Sequence, residues 1–178
     1  MRGLDFTLIP NPRSARGFTL IEILVVVVIL GVVIGAVTLA VGAVGGERQL
    51  ARQAEQVQAL FTYACEQAEF SGRDLGISLD AQGFRFSMAN RDEWIADKAS
   101  ELRARKWLVG TLATLSRDGQ AIAVTDKMPE KPQLVCFSSG ELTPFRLELA
   151  LADGTKHFRI DGQPDGDIRL SAVEARAR

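Results

Sequence analysis

The chain has 178 residues, which fits one modest domain with an N-terminal anchor better than two full domains. Its formal net charge is −1, so it lacks the broad positive charge of a protein that binds duplex nucleic acid. Its two cysteines lie far apart in the sequence, without the spacing of a metal site.

Residues 1–17 form a polar leader that contains three arginines and one aspartate. Pro10 and Pro12 prevent a regular helix there. By the positive-inside rule, the excess of arginine predicts a cytoplasmic N-terminus and places the rest of the chain across the inner membrane. An ordinary secretory signal has its apolar region before the cleavage site, whereas here the apolar region follows the leader.

Residues 18–46 are predicted to form a single membrane-spanning helix. From residue 23 to residue 46 the sequence has no charged side chain. A helix of about 20 apolar residues is enough to cross a bilayer. Glu22 lies just inside this segment, and a carboxylate in such a place is costly and indicates a specific partner.

Residues 17–22, Gly-Phe-Thr-Leu-Ile-Glu, resemble the type IV prepilin signature, which pilins share with the pseudopilins of type II secretion. The resemblance implies that a prepilin peptidase cuts between Gly17 and Phe18 and methylates the new amine of Phe18. It also implies that the same helix first anchors the protein in the membrane and later packs in the core of a filament.

Glu22 has two interpretations, and the first is favoured because the apolar residues around it would otherwise hold the carboxylate in hydrocarbon. After cleavage its carboxylate could pair with the amine of Phe18 or of a neighbouring subunit, which would set the register of assembly. A glutamate in the first helical turn also suits the helix dipole. Alternatively, the side chain only reaches the lipid headgroups near the helix end.

Gly31 and Gly35 are four residues apart, as are Gly42 and Gly46. Such pairs of small residues let helices approach closely in a membrane or a filament core. Glycine is also common in membrane helices in general, so both interpretations remain open.

Residues 47–71 are predicted to form a periplasmic amphipathic helix, because apolar residues recur at spacings of three and four. These residues are Leu50, Ala54, Val57, Phe61, Ala64 and Ala68. Ser71-Gly72 is a plausible helix end.

Residues 72–178 are predicted to form a globular head of mostly antiparallel β-structure, since the apolar period changes to two. The predicted strands are 75–79, 84–88, 108–115, 121–125, 134–137, 145–151, 156–160 and 168–170. Asp153-Gly154 is a tight-turn signal. Residues 92–106 are ambiguous and could form a loop with a short helix.

Residues 132–145 resemble the strand–turn–strand segment of the H-type minor pseudopilins, and residues 165–170 resemble the closing hairpin of that family. The resemblance implies an α+β, pilin-like fold, with a long N-terminal helix packed on the β head. It implies a structural subunit at or near the tip of a periplasmic pseudopilus, which helps to export folded proteins across the outer membrane. The implied partners are other major and minor pseudopilins, the prepilin peptidase, the inner-membrane assembly platform and secreted cargo.

Two alternatives are open for Cys65 and Cys136. Both could be small buried residues with free thiols, as unpaired cysteines often are. If the head faces an oxidising periplasm, they could instead form a disulfide between helix and sheet.

The sequence indicates no enzyme and no cofactor. The one histidine, His157, alternates with Phe158 in a predicted strand and has no cysteine nearby, so a surface position is favoured over a metal ligand. Ser138-Ser139-Gly140 lacks the Gly-x-Ser-x-Gly pattern of hydrolases.

Residues 161–167 partly match a calcium loop, with oxygen-bearing side chains at Asp161, Gln163 and Asp165. The twelfth position is Ala172 instead of a glutamate, and strands flank the loop instead of helices. A plain turn is therefore favoured, and no metal site is expected.

The alternative function is that of a minor pilin of a type IV pilus, which would bind DNA for uptake. Arg176 and Arg178 in the tail offer some positive charge, but the acidic balance of the head weighs against nucleic acid. A membrane-anchored enzyme would need a catalytic constellation that the sequence lacks.

Overall fold

The computed structural model describes residues 19–91, 93–96, 101–152, 154 and 156–174, with residues 36–44 and 174 lacking described side chains. The chain separates into two compact units, Met1–Ala40 and Val41–Arg178. The leader, the cleavage site and the basic tail lie outside the described residues.

One helix, α1 (Leu20–Ser71), accounts for 52 residues. It ends where glycine can adopt a left-handed backbone, since Gly72 has a φ of +63°. The N–H of Arg73 donates to the Ala68 carbonyl at 3.2 Å, and the N–H of Gly72 donates to the Glu69 carbonyl at 3.3 Å. This Schellman pattern explains why the helix ends where the sequence predicts.

The apolar part of α1 precedes Glu47. Within the part of the chain that is described, no helix is both long enough and apolar enough to cross a membrane. That residues 18–46 form a membrane span stays a prediction from the sequence.

Among the described residues, ten strands follow α1 in the second unit. They are β1 (Leu75–Asp80), β2 (Gly83–Asn90), β3 (Glu93–Ala96), β4 (Arg105–Lys106), β5 (Thr111–Arg117), β6 (Gln120–Ile122), β7 (Leu134–Cys136), β8 (Phe145–Leu151), β9 (Lys156–Gly162) and β10 (Ile168–Glu174). They form two sheets in which every assigned pair is antiparallel, with the orders β3-β2-β1-β7 and β10-β9-β8-β5-β6, while β4 pairs with β2. The predicted α+β fold, a helix with an antiparallel β head, is confirmed.

The β1–β2 hairpin is closed by a buried carboxylate. Asp80 accepts hydrogen bonds from the N–H groups of Gln82 and Gly83, at 2.8 and 2.7 Å. An aspartate that bonds its own backbone two residues on is typical of a tight turn. A methyl group at Gly83 would collide with the Arg105 carbonyl, so glycine is what allows β4 to pair here.

The core lies between α1 and the two sheets. All six residues of the predicted helical stripe are at most 1% exposed. Phe61 is the centre of an aromatic cluster, in edge-to-face contact with Phe84, Phe86 and Phe145 at ring distances of 5.6, 6.0 and 5.9 Å. Edge-to-face contacts stabilise the core beyond the contribution of the apolar area that each ring buries.

Residues 92–106, which the sequence leaves ambiguous, contain β3 and β4 in their described part instead of a short helix. Trp94 lies opposite Ala89, and Ile95 lies opposite Met88, so β3 extends the first sheet. The charged residues of this segment made a strand hard to predict from the sequence, because a short edge strand often carries charged side chains and shows little apolar alternation.

Several strand ends also differ from the prediction. The strand expected from residue 108 begins at Thr111, because Leu108–Thr111 is a turn in which Gly110 has a φ of +83°. The strand expected at 121–125 is β6, Gln120–Ile122, and the last strand continues beyond residue 170 to Glu174. Asp153 of the predicted Asp153-Gly154 turn lies outside the described residues.

Candidate assembly interface

The first turn of α1 is capped by Thr19. The N–H of Glu22 donates to Thr19 Oγ1 at 3.3 Å and to the Thr19 carbonyl at 3.1 Å. Thr-x-x-Glu is the spacing of a capping box, in which the threonine satisfies an N–H that the helix leaves unpaired. The sequence prediction for Glu22 omitted Thr19, although this spacing is readable from the sequence.

Glu22 is exposed, and it is the single charged residue between residues 19 and 35. Its place at the third helical position puts the carboxylate beside the positive end of the helix dipole. The helix start thus gathers a capping hydroxyl, backbone N–H donors and one carboxylate within one turn.

An apolar surface surrounds this part of α1 on all sides. Thirteen large apolar side chains between Leu20 and Ile34 are 45–85% exposed. A helix that is apolar all round is normally buried in a large core or a membrane. Apolar surface of this extent marks a place where another molecule binds.

Gly31 and Gly35 lie within this surface, about one helical turn apart. Outside the nearby backbone of the helix itself, a methyl group added at either glycine would meet no described atom within 4 Å. The two glycines therefore leave a strip on which another helix could approach closely. Their role in packing stays a prediction.

The head is joined to α1 by a disulfide between Cys65 in the helix and Cys136 in β7, with a Cα–Cα distance of 4.9 Å. Cys65 is 7% exposed and Cys136 is fully buried. Of the two alternatives from the sequence, the structure has the bonded one. The bond links residues 71 positions apart, and so it fixes the helix to the first sheet.

The carboxylates of the partial calcium pattern pair within the chain instead of converging. Asp161 accepts a hydrogen bond from Arg146 Nε at 2.7 Å, and this bond, with the charge of the carboxylate, raises the pKa of Arg146. The carboxylate of Asp165 accepts a hydrogen bond from the N–H of Asp167. The carboxylate of Asp167 in turn accepts one from Arg169 Nε at 2.6 Å. Among the described residues, no three metal-binding side chains lie together.

A cleft of about 320 Å³ lies beside the Arg146–Asp161 pair. Its lining combines the turn at Asp118-Gly119 with the start of β8 and the end of β9. Ser116 is the hydroxyl in the lining, and no histidine, lysine or cysteine accompanies it. Asp118 and Asp161 are the carboxylates in the lining, and Asp161 is already paired with Arg146. His157 is half-buried in β9, as expected for a strand residue.

The comparisons with known proteins match both parts of the chain. A family model described as the prokaryotic N-terminal methylation motif matches residues 12–38. A Pseudomonas aeruginosa protein, type II secretion system protein H, is 33% identical over 177 residues, covering 93% of this chain and 99% of the relative. A protein of the same description from Aeromonas hydrophila is 30% identical over 168 residues, covering 86% and 92%.

Solved structures show the same fold at lower identity. The minor pseudopilin EpsH from the type 2 secretion system of Vibrio cholerae aligns with a TM-score of 0.58 at 23% identity, covering 68% of this chain and 95% of that one. The solution structure of E. coli GspH aligns with a TM-score of 0.54 at 21% identity, covering 72% and 90%. These two likenesses concern the fold.

Proposed function

Because the chain belongs to the type II secretion system protein H family, we propose that it works as a minor pseudopilin, a structural subunit of the periplasmic pseudopilus. The family membership favours type II secretion over the DNA-uptake pilus. The observation that carries the role is the apolar surface of α1 between Leu20 and Ile34, which a structural subunit would cover with neighbouring helices.

The anchor is the first part of this proposal. Residues 18–46 cross the inner membrane once, with the leader in the cytoplasm and the head in the periplasm, until assembly moves the helix into the filament core. Three observations support this: the uncharged run at 23–46, the exposed apolar residues at its start and the arginines of the leader. The Cys65–Cys136 disulfide suits an oxidising periplasm.

Processing at the start of the helix is the second part. Prepilin peptidase cleaves after Gly17 and methylates Phe18, and Glu22 then pairs with the amine of Phe18 or of a neighbouring subunit. The support comes from the methylation motif at 12–38 and from the exposed carboxylate in the first turn of α1. Once the helix lies in a membrane or a filament core, a carboxylate at this place is costly and favours a cationic partner.

The partners are the third part. The apolar helix surface contacts other major and minor pseudopilins, the inner-membrane platform drives assembly, and the head meets neighbouring subunits or cargo at or near the tip. The role is structural and not enzymatic, as in the named family. The open strip at Gly31 and Gly35 supports a helix-to-helix contact.

The test is Glu22→Ala in secreting cells, with Glu66→Ala as the matched control. Both carboxylates are exposed on α1, but Glu66 lies in the amphipathic part of the helix that packs on the head. We expect Glu22→Ala to be cleaved like the native chain yet to lose co-purification with other pseudopilins, while the control assembles. Normal assembly of Glu22→Ala would remove the register role.

A further inference from the structure

The turn Leu108–Thr111 exposes two apolar side chains on the head. Val109 is 95% exposed, and Leu112, just after the turn, is 57% exposed. Single exposed apolar residues are common on protein surfaces and need no explanation. The position of this pair relative to the end of the apolar run is what singles it out.

Leu151 connects the turn to the point where the uncharged run ends. A methyl group at Gly46 would lie 3.1 Å from Leu151 Cδ1, and one at Gly110 would lie 4.0 Å from Leu151 Cδ2. The N–H of Ala152 also donates to the Gly110 carbonyl at 3.3 Å. The turn therefore lies beside Gly46, the last residue of the proposed anchor.

The turn is held rigidly by α1. The side-chain oxygen of Gln53 accepts from the N–H of Leu108 at 3.1 Å, and its nitrogen donates to the Lys106 carbonyl at 3.3 Å. The N–H of Thr111 closes the turn on the Leu108 carbonyl at 3.0 Å. These hydrogen bonds fix the backbone of the turn relative to Gln53, and therefore fix the position of Val109.

Three basic side chains are exposed at the same end of the head. Arg48 and Arg52 lie on the first turns of α1 after Gly46, and Lys106 lies in β4, where its carbonyl accepts from Gln53. The nearby carboxylate of Glu47 lies 3.6 Å from Lys156 Nζ, so it is compensated within the head. Apolar side chains with cations around them are typical of a surface that lies on anionic lipid headgroups.

We propose that this end of the head, defined by Val109, Leu112, Arg48 and Arg52, docks on the anionic surface of the bilayer while the subunit is anchored. The inference rests on the membrane anchor of the proposed function. Docking keeps this end of the head against the bilayer surface, and entry of the subunit into the filament releases it.

The other end of the head has the opposite charge. Phe70 is 88% exposed in the last turn of α1, but its exposed neighbours Glu66 and Glu69 are carboxylates. Anionic lipids would repel this end. Phe70 is therefore a matched control for Val109, because it is an exposed apolar residue with carboxylates beside it.

The experiment uses the full chain in nanodiscs with one reporter cysteine at a time. Among the described residues the two native cysteines are paired, so a thiol introduced by Val109→Cys can be labelled selectively. An environment-sensitive dye is attached at position 109, at position 70 or at position 29, and its quenching by spin-labelled lipids is measured. The nanodiscs contain either phosphatidylglycerol or phosphatidylcholine alone.

We expect lipid quenching at position 109 in phosphatidylglycerol, weaker quenching in phosphatidylcholine, and none at position 70. Arg48→Ala and Arg52→Ala should each lower the docked population by about fivefold, as expected for one basic residue near an anionic surface. Position 29 should be quenched in every case.

Quenching at 29, with 109 no different from 70, would overturn the docking and leave the anchor in place. A dye at position 29 that escapes quenching would instead contradict the anchor, and the docking with it. Quenching at 109 that ignores lipid charge and both arginine variants would also overturn the proposal, because it requires anionic lipid.

Discussion

Two stretches of the same helix, residues 20–35 and residues 50–68, are both rich in apolar residues and meet opposite environments. In the second stretch, the six stripe residues are at most 1% exposed against the two sheets. In the first stretch, the apolar side chains are 45–85% exposed. The sequence distinguishes them by pattern: one has an apolar stripe with polar residues between, and the other is apolar on every side.

The difference shows how one helix can serve two purposes. A helix with one apolar stripe can bury its apolar residues within its own chain, because that face packs on the core and the other faces meet water. A helix that is apolar all round has no such solution and needs lipid or other subunits around it. Stability of the head and assembly of the subunit should therefore depend on different residues.

The largest loss of stability is expected from Phe61→Ala. Phe61 is fully buried and contacts three other phenylalanines, so its truncation should cost about 3–5 kcal/mol of unfolding free energy. Denaturant unfolding of the full chain in detergent measures this. Gln56→Ala, on an exposed position of the same helix, is the control and should change little. Equal effects of the two would contradict the packing described for the stripe.

Reduction of the disulfide should lower the free energy of unfolding by a comparable amount. The bond spans 71 positions, and constraint of the unfolded chain by a loop of this size is worth about 4 kcal/mol. We expect a lower unfolding midpoint in the presence of reductant. The double variant Cys65→Ser, Cys136→Ser should have the low midpoint already and ignore the reductant. A native chain that is indifferent to reductant would argue that the bond contributes nothing.

The smallest effect is expected from Asp161→Asn, which removes the partner of Arg146. The pair is partly exposed, with side chains 52% and 25% accessible, so the change should cost less than about 1 kcal/mol. Because the pKa of Arg146 is raised, the stabilisation from its charge is complete below the ordinary arginine range and is lost only at strongly alkaline pH. The difference in unfolding midpoint between native chain and variant should therefore be the same at neutral and mildly alkaline pH.

Much of the fold follows from local pattern in the sequence. The stripe from Leu50 to Ala68, the helix end at Gly72 and the β1–β2 hairpin are all predictable, because each depends on residue spacing or on one turn. The pairing of Cys65 with Cys136 could not be read, since it requires knowing which strand lies beside the helix.

The misjudged segments have a common physical cause. β3 and β4 are short, and their place in the sheet depends on pairing with β2. The turn before β5 accepts a hydrogen bond from the distant Ala152 N–H at the Gly110 carbonyl. At the candidate assembly interface, Glu22 is recognisable in the sequence from its place in an uncharged run. The exposure of Val109 needed the fold.

We propose that other pseudopilins cover the apolar surface of α1 between Leu20 and Ile34. A photo-crosslinking residue at Ile29, which is 56% exposed, tests this in cells that are secreting. We predict adducts with other pseudopilins that disappear in the Glu22→Ala variant. If secretion is active and position 29 yields no adduct with any pseudopilin, the claim is contradicted.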